Sequence, residues 1–426
     1  MKRFLIIIGL ILFLPSQAYC EVQHINVDQA VTIAIGHNLQ LCAKRKELNE
    51  LYQDLKAANA LKNPQFQSNF LLGNVSAGNA SQFGLAVPVE VAKRSARKNV
   101  VKAKIQLTEN EIKRAEHELK IEVMRAYFNI LYMKSVVKVL QESENLFASM
   151  MQFTKEKHKN SVQDVDVLQS DIKYKKQQIL TNKAKAELLK AQFELNNVMN
   201  LKSSEVMFDT IEPSLFEKNI SILNINLPQY QQIEDTAMKY SYSILIVNNQ
   251  IEVAKKDFSL QKRNRIPNVT LGGGYAFQNK YHSEGNNYSG AYVGVNATLP
   301  LLYWYNPEVN AAKIRIERNQ LSKLSFESRL KVALKKDYNT FKYSKENIKH
   351  YQAIMNESEQ ILKTYTKNYQ AGKVPLLSLM LVENSQREMM REYLKEIQLY
   401  YNAYLDLMEN VGHDILLEDE LFEDKL

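Results

Sequence analysis

The stretch RNRIPNVTLGGGYAF, Arg263 to Phe277, interrupts a helical pattern at Pro267, turns to alternating residues and carries three consecutive glycines. Earlier in the chain LKNPQFQSNFLLG, Leu61 to Gly73, does the same at Pro64. Around these two breaks the composition is that of a helical protein. The 426 residues, enough for two or three ordinary domains, hold only 13 Gly and 9 Pro. Nine of those glycines fall in two windows, Gly73, Gly78 and Gly84, then Gly272 to Gly274, Gly285, Gly290 and Gly294. Elsewhere Lys, Glu, Gln, Leu, Ala and Asn predominate, a helix-forming mixture. The fold class is therefore mainly α with a small β part.

The two breaks belong to an internal repeat. Pro64 and Pro267 lie 203 positions apart, and Pro88 and Pro300, each at the end of a second alternating stretch (GLAVPV and NATLPL), lie 212 apart. KNSVQDVDVLQS from Lys159 aligns with AGKVPLLSLMLV from Ala371, which sets Asn160 opposite Gly372, again 212 apart. Matching spacing at three landmarks marks a duplicated unit of helix, two strands, very long helix, tight turn and returning helix. The expected organisation is a signal peptide over 1–20, a first repeat over 21–200, a connecting segment over 201–229, a second repeat over 230–412 and an acidic tail over 413–426. Strands are expected near 65–73, 80–88, 268–278 and 288–299, and helix-to-helix tips near 158–163 and 370–375.

The N-terminus reads as a secretory signal. Lys2 and Arg3 precede the apolar run Phe4 to Leu14, followed by Pro15 and small residues. Eleven apolar residues are too few to span a bilayer as a helix. Cleavage after Ala18 or Cys20 suits a signal peptidase; a lipid-modified Cys20 is the alternative, with the bulky Tyr19 before it speaking against that. With Cys42 and at most Cys20 left in the mature chain, no disulfide framework is expected. Removal of Lys2 and Arg3 takes the formal charge from +8 to +6, and the remaining basic residues interleave with acidic ones along helical stretches, as on solvated helix faces. No nucleic-acid motif accompanies them.

In the second unit, Asn306 and Pro307 fit a helix start, and neither Gly nor Pro recurs before Gly372, so this helix reaches about 100 Å. Its returning partner carries Met390, Leu394, Ile397, Tyr401, Tyr404, Met408 and Val411 at alternating spacings of four and three, a coiled-coil seam. In the first unit the returning helix has two stripes. One runs through Leu180, Ala184, Leu188, Ala191, Leu195 and Val198, the other through Leu168, Ile172, Ile179, Ala186, Leu189 and Phe193. Two seams on one helix mean neighbours on both sides, as in a cylinder wall.

All four strands alternate. Phe66 and Phe70 oppose Gln65, Gln67 and Asn69; Phe83, Leu85 and Val87 oppose Gln82, Gly84 and Ala86. Leu271, Tyr275 and Phe277 oppose Thr270, Gly272 and Gly274; Val293 and Val295 oppose Tyr292, Gly294 and Asn296. Runs of about nine to eleven such residues have the length that spans an outer membrane when tilted. A soluble sheet with one buried face is the bland reading, but an exported chain with helices too long to fold back over the strands disfavours it. In lipid a sheet must close, and four strands cannot close a barrel, so several chains must share one.

This layout resembles the TolC family of outer-membrane efflux proteins over about Glu21 to Gly412. The most specific match is Tyr369-Gln-Ala-Gly372-Lys-Val-Pro375-Leu376-Leu377-Ser-Leu379 after the longest helix, supported by Asn63-Pro64, Ile266-Pro267 and the V-P-V and L-P-L strand exits. The resemblance implies a homotrimer with a twelve-stranded barrel in the outer-membrane lipid, continued by a periplasmic helical tunnel. Its tip would dock on a periplasmic adaptor (membrane fusion protein) joined to an inner-membrane pump. It implies passive passage of efflux or secretion cargo, including type I protein or peptide secretion. Gly372 suits the left-handed residue ending a helix, Asn160 its counterpart, and Pro375 a helix start. Leu376 and Leu377, near the turn, are core or an adaptor contact; the resemblance favours the contact, together with Asn160, Ser161, Gly372, Lys373 and Pro375. For the periplasmic gate the resemblance points to Asp164, Asp166 and Tyr369. The family's remaining charged positions hold Val374, Ser378 and Leu381, leaving the usual polar network incomplete.

Other classes fit poorly. The seven histidines (24, 37, 117, 158, 282, 350 and 413) form no paired-ligand motif. Gly272 to Gly274 lacks the Lys-Ser/Thr of a phosphate loop, and no nucleophile motif is present, so neither an enzyme nor a cofactor or metal site is expected. A periplasmic coiled-coil adaptor or scaffold would not need two full repeats with membrane-length strands.

Overall fold

In the computed structural model, described for residues 21–70, 79–157, 165–200, 206–216, 225–279 and 288–412, the chain is mostly helix. The first repeat opens with β1 (Glu21–Ile25), α1 (Val27–His37) and α2 (Leu39–Asn59). Strands β2 (Gln65–Phe70) and β3 (Asn79–Val89) lead into α3 (Lys93–Lys157) and α4 (Val165–Val198). After β4 (Val206–Thr210) the second repeat follows: α5 (Tyr230–Tyr240), α6 (Tyr242–Arg263), β5 (Val269–Asn279), β6 (Tyr288–Ala297), α7 (Asn306–Gln370) and α8 (Leu376–Val411). The signal segment 1–20, the first tip with Asn160, Ser161 and Asp164, and the tail 413–426 lie outside the described residues.

The duplication extends to helix lengths. α3 and α7 are 65 residues each, and α4 and α8 are 34 and 36. It also extends to a feature that the sequence hides. The helix before each strand pair is broken once, at Asn38 and at Ser241, 203 positions apart like the two prolines. At both sites the backbone is extended while its N–H still bonds back, to Ala34 O at 2.9 Å and to Ala237 O at 3.0 Å. No proline sits at either break.

Of the four prolines expected to bound the strands, three sit outside the strand ends. Pro64 immediately precedes β2, Pro267 stands two residues before β5, and Pro300 three residues beyond β6. Pro88 lies inside β3, opposite Thr270. Expected to end that stretch, it is instead tolerated because pairing of β2 to β3 stops at Gln65↔Ala86, so on that side of Pro88 no ladder needs an N–H. The start of α7 also differs by one residue from expectation. Val309 N bonds to Tyr305 O, so Tyr305, with φ of 54°, caps the helix, while the Asn306 side chain accepts from Arg265 at 2.7 Å.

Two sheets form. β2-β3-β5-β6 is an antiparallel four-stranded sheet, and β1 pairs in parallel with β4. The small sheet was not legible in the sequence, where 201–229 read only as a crossing segment. It is held against α3 by polar contacts. Lys134 Nζ sits 2.8 Å from Asp209 and donates to Thr210 O, and the Tyr127 hydroxyl donates to Glu212 and Ile25 O.

The chain packs as two compact units, each drawing on both repeats. One takes its described residues from Met1–Asn38, Leu119–Asn224 and Tyr343–Asn402; the other from Leu39–Glu118, Ile225–Lys342 and Ala403–Leu426. In α8 the expected seam is buried from Leu394 through Val411, with Leu394, Ile397 and Met408 wholly so.

Within the first unit a polar cluster pins α8 to α3 and α4. Glu383 accepts from Ser143, and Arg387 donates to Glu383 and to Gln177 at 3.0 Å and to Asn384 at 2.7 Å. Lys173 also reaches Asn384. Burial raises the Glu383 carboxyl above the ordinary glutamate value, opposed by the Ser143 bond and the charges of Arg387 and Lys173. The folded chain then holds this proton more tightly than the unfolded one, so the stability drawn from Glu383 falls as pH rises from the ordinary glutamate range through the raised value. Replacing Glu383 by Gln should flatten the pH dependence of the melting temperature across that window. Arg387→Met strands a buried carboxylate and should cost about 3–5 kcal/mol, more at pH 8 than at pH 5. Thermal melts of the detergent-solubilised variants at the two pH values check both.

Candidate functional site

The four-stranded sheet has two unlike faces, fixed by its register. Pairing of Phe66 with Leu85, Phe83 with Tyr275 and Leu271 with Val295 gathers the large apolar residues on one face. Phe83 lies between Phe70 and Phe277, in edge contacts at 5.4 and 6.4 Å. This face is open: Phe66 is 69% exposed and Val293 89%. The other face carries Gln65, Gln67, Asn69, Gln82, Thr270 and Asn296 among glycine and alanine. Not one Asp, Glu, Lys, Arg or His occurs in the four strands. β2 and β6 are the edges of the sheet.

Where the strands meet the helices, the segment Leu299-Pro-Leu-Leu-Tyr-Trp-Tyr305 presents an apolar and aromatic rim. Leu301 is 72% exposed, Leu302 wholly so, and Tyr303 and Trp304 about half. Arg265 fixes this rim by donating to Trp304 O at 2.9 Å, and Arg263 donates to Ala92 O and Ser95. Apolar strands bordered by Tyr and Trp are the arrangement of a membrane-spanning β wall. Among the described residues, no helix is long and apolar enough to cross a membrane.

At the α7–α8 turn, Gly372 has φ of 71°, its N–H bonds to Tyr369 O at 2.9 Å, and the Lys373 N–H bonds to Asn368 O at 2.8 Å. These two bonds define a Schellman cap and explain the glycine. Pro375 directly precedes α8. Leu376 and Leu377 part company: Leu376 is 1% exposed, in a cluster with Phe147, Met150, Tyr369, Leu379 and Met380, whereas Leu377 is 60% exposed. Leu376 is thus core, because as first residue of α8 it points back onto α3, and the accessible apolar side chain of the turn is Leu377. Lys373 and Gly372 are exposed beside it.

Tyr369, expected at the gate, is buried. Its hydroxyl pairs with Thr154 Oγ1 at 2.6 Å and its ring meets Phe153 edge-on at 5.6 Å. Burial raises its hydroxyl above the ordinary tyrosine value; the Thr154 bond opposes this and the Asp166 carboxylate adds to it. Asp166 is exposed in the first turn of α4. Thr154 was missed in the sequence, where a lone threonine in a 65-residue helix carries no signal. Val374 packs against the core cluster, and Leu381 is 61% exposed.

The second stripe of α4 is open along its length, from Leu168 (54%) and Ile172 (65%) to Phe193 (50%). α7 likewise exposes Ile314, Leu321, Leu324, Ile354 and Ile361. No group of three or more His, Cys, Asp or Glu able to hold a metal occurs among the described residues.

The described residues thus present a strand wall, a capped helical tip and long helices with open apolar stripes. Residues 237–413 match the family model of the outer membrane efflux protein. Solved structures agree in fold. The Campylobacter jejuni CmeC outer membrane channel matches with a TM-score of 0.73 at 14% identity, over 94% of this chain and 90% of that one. The outer membrane protein VceC of Vibrio cholerae matches at 0.71 and 12%, over 91% and 96%. The Neisseria gonorrhoeae MtrE outer membrane channel matches at 0.67 and 14%, over 91% and 89%. No curated protein sequence matches the chain.

The two leucines of the turn should separate in experiment. Leu376→Ala should destabilise the tip by about 2–5 kcal/mol through the cavity it leaves. Leu377→Glu should leave the melting temperature within about 2 °C, because surface substitutions rarely exceed ±0.5 kcal/mol. Melts of the two purified variants, run side by side, check this.

Proposed function

We propose that three copies of this chain form the outer-membrane exit duct of a tripartite efflux or secretion system. Cargo passes passively from an inner-membrane pump, through a periplasmic adaptor, to the outside. The observation that carries this reading is the uncharged four-stranded sheet with an open apolar face and two open edges. Lipid offers no hydrogen bonds to such edges, so the sheet must close with copies of itself. Two copies would give eight strands, whose interior side chains just about fill. Three give twelve and leave an aqueous lumen lined by the amide and glycine face. The open stripes of α4 and α7 supply the helix-to-helix contacts that such a closure needs.

At the tip, exposed Leu377, flanked by Gly372, Lys373 and Pro375 and joined by Asn160 and Ser161 of the first repeat, is the surface offered to the adaptor. Asp164, Asp166 and Tyr369 are the candidates for the periplasmic gate. The Tyr369 hydroxyl is engaged by Thr154 in its own helix pair, while Asp166 lies exposed in the first turn of α4. Asp166→Ala should raise the resting conductance of the isolated channel in a lipid bilayer; an unchanged conductance removes it from the gate.

The closure itself is tested by placing a charge on the outer face. Leu85→Lys or Val293→Lys should cost up to about 2–4 kcal/mol per chain near the bilayer midplane. Both should lower the yield of trimer measured by light scattering in detergent. Gln82→Lys, on the opposite face, should assemble normally. Equal tolerance on both faces, or a purified protein that is monomeric and non-conducting, would sink the exit-duct reading.

A further inference from the structure

The amide and glycine face of the sheet carries one feature that closure alone does not require. Register sets Gly84, Gly274 and Tyr292 side by side on β3, β5 and β6. The tyrosine does not stand up from its own strand. A Cβ placed on Gly84 would collide with the Tyr292 hydroxyl, lie 3.2 Å from its Cζ and fall 2.7 Å from Gly273 O, so the phenol reaches across β5 to rest over a residue two strands away, where the backbone is also close. Gly274, beneath the ring, has no room for a side chain either, because a Cβ there would run into the backbone of Phe83 and Gly84. Tyr292 is accordingly half-buried, although it lies on an open face.

We propose that the Gly84–Gly274 shelf keeps the aperture of the duct wide by holding Tyr292 flat against the wall. Laid flat there, the tyrosine keeps the inner wall low, and with no Asp, Glu, Lys, Arg or His on the four strands of the sheet the barrel sorts cargo by girth and hydrogen bonding rather than by charge. This rests on the exit-duct reading, in which three-fold closure repeats the tyrosine three times at one level. Pores that select by charge do so with rings of Asp, Glu, Lys or Arg. Here the corresponding positions are glutamine, asparagine, threonine and glycine. Loss of the shelf would tip three phenol rings into the lumen together.

The test reads the barrel independently of the periplasmic tip. In a Cys42→Ser background, a thiol at Asn296, on the inner face toward the helices from Tyr292, is labelled on intact cells with maleimide-polymers of graded size added outside. Val295→Cys, on the apolar face, is the control. Asn296→Cys should label and Val295→Cys should not; the reverse, or no labelling of Asn296→Cys by the smallest reagent, overturns the exit-duct reading itself. Given labelling, Gly84→Val should shift the size cut-off downward, and adding Tyr292→Ala should restore it. Gly84→Ala, which carries the same clash at Cβ, serves where the valine variant fails to reach the membrane. Tyr292→Ala alone should leave the cut-off unchanged. Small cationic and anionic maleimides should label at rates within a few-fold of each other, where a charged lumen would separate them by about tenfold or more. An unchanged cut-off in the Gly84 variants, a larger cut-off in Tyr292→Ala alone, or a tenfold charge preference overturns the aperture role.

Discussion

Backbone hydrogen bonding at the edges of a sheet governs the rest of this structure. β2 and β6 each present an unpaired row of N–H and C=O groups, beside a face made of Phe, Leu and Val. In water such edges would be a site of aggregation; in lipid they are forbidden outright. Under the proposed function, closure with further copies satisfies them, and closure in turn would dictate what the helices must be. If the strands form a shared wall, each protomer's helices are placed beside those of its neighbours. They must then be apolar on more than the one face that a lone coiled coil needs. The second stripe of α4 and the open residues of α7 meet that demand. On that reading, the exposed apolar surface of these helices follows from the sheet rather than from local packing.

The absence of charge from the strands belongs to the same logic. On the lipid side a charge would be costly at mid-depth. On the other side no such penalty operates, yet the strands still use amides and glycine there. That restraint is confined to the strands, since the helices interleave Lys and Arg with Glu and Asp throughout. The Glu383–Arg387 cluster shows what the helical part does with charge: it buries a pair and surrounds it with Ser143, Gln177 and Asn384, so that the donors and acceptors are matched.

Much of this was legible in the residues. Pro64 and Pro267 mark the entry to the strands because proline ends a helix, and period-two alternation identified the faces. Gly372 announced the tip because only a residue at ease in the left-handed region can close a Schellman cap. What stayed hidden has a common cause, namely that it depends on partners far away in the chain. EVQHI and VMFDT are too short to read as strands until they pair with each other across more than 180 residues. The breaks at Asn38 and Ser241 lack a proline. Pro88 misled because its tolerance depends on where the neighbouring strand stops, and Leu376 because a leucine one residue past a turn can face either way. Glu383 and Arg387 are four apart on a helix, a spacing shared with many solvated pairs, so nothing in the sequence separates the buried one.

The duplication also explains why the two halves are not equivalent. The second repeat carries nine more residues between its prolines than the first, 33 positions against 24. It also holds the run of three glycines and Tyr292, while the first supplies Gly84 as the far end of the shelf. Neither hairpin alone contains the arrangement. It arises only where β3 pairs with β5, at the seam between the copies, and a mutation in one repeat is felt by a side chain of the other. That seam is also where Arg263, at the end of α6, donates to Ala92 O and Ser95. There a substitution on either side must leave both the ladder and the space beneath the tyrosine intact.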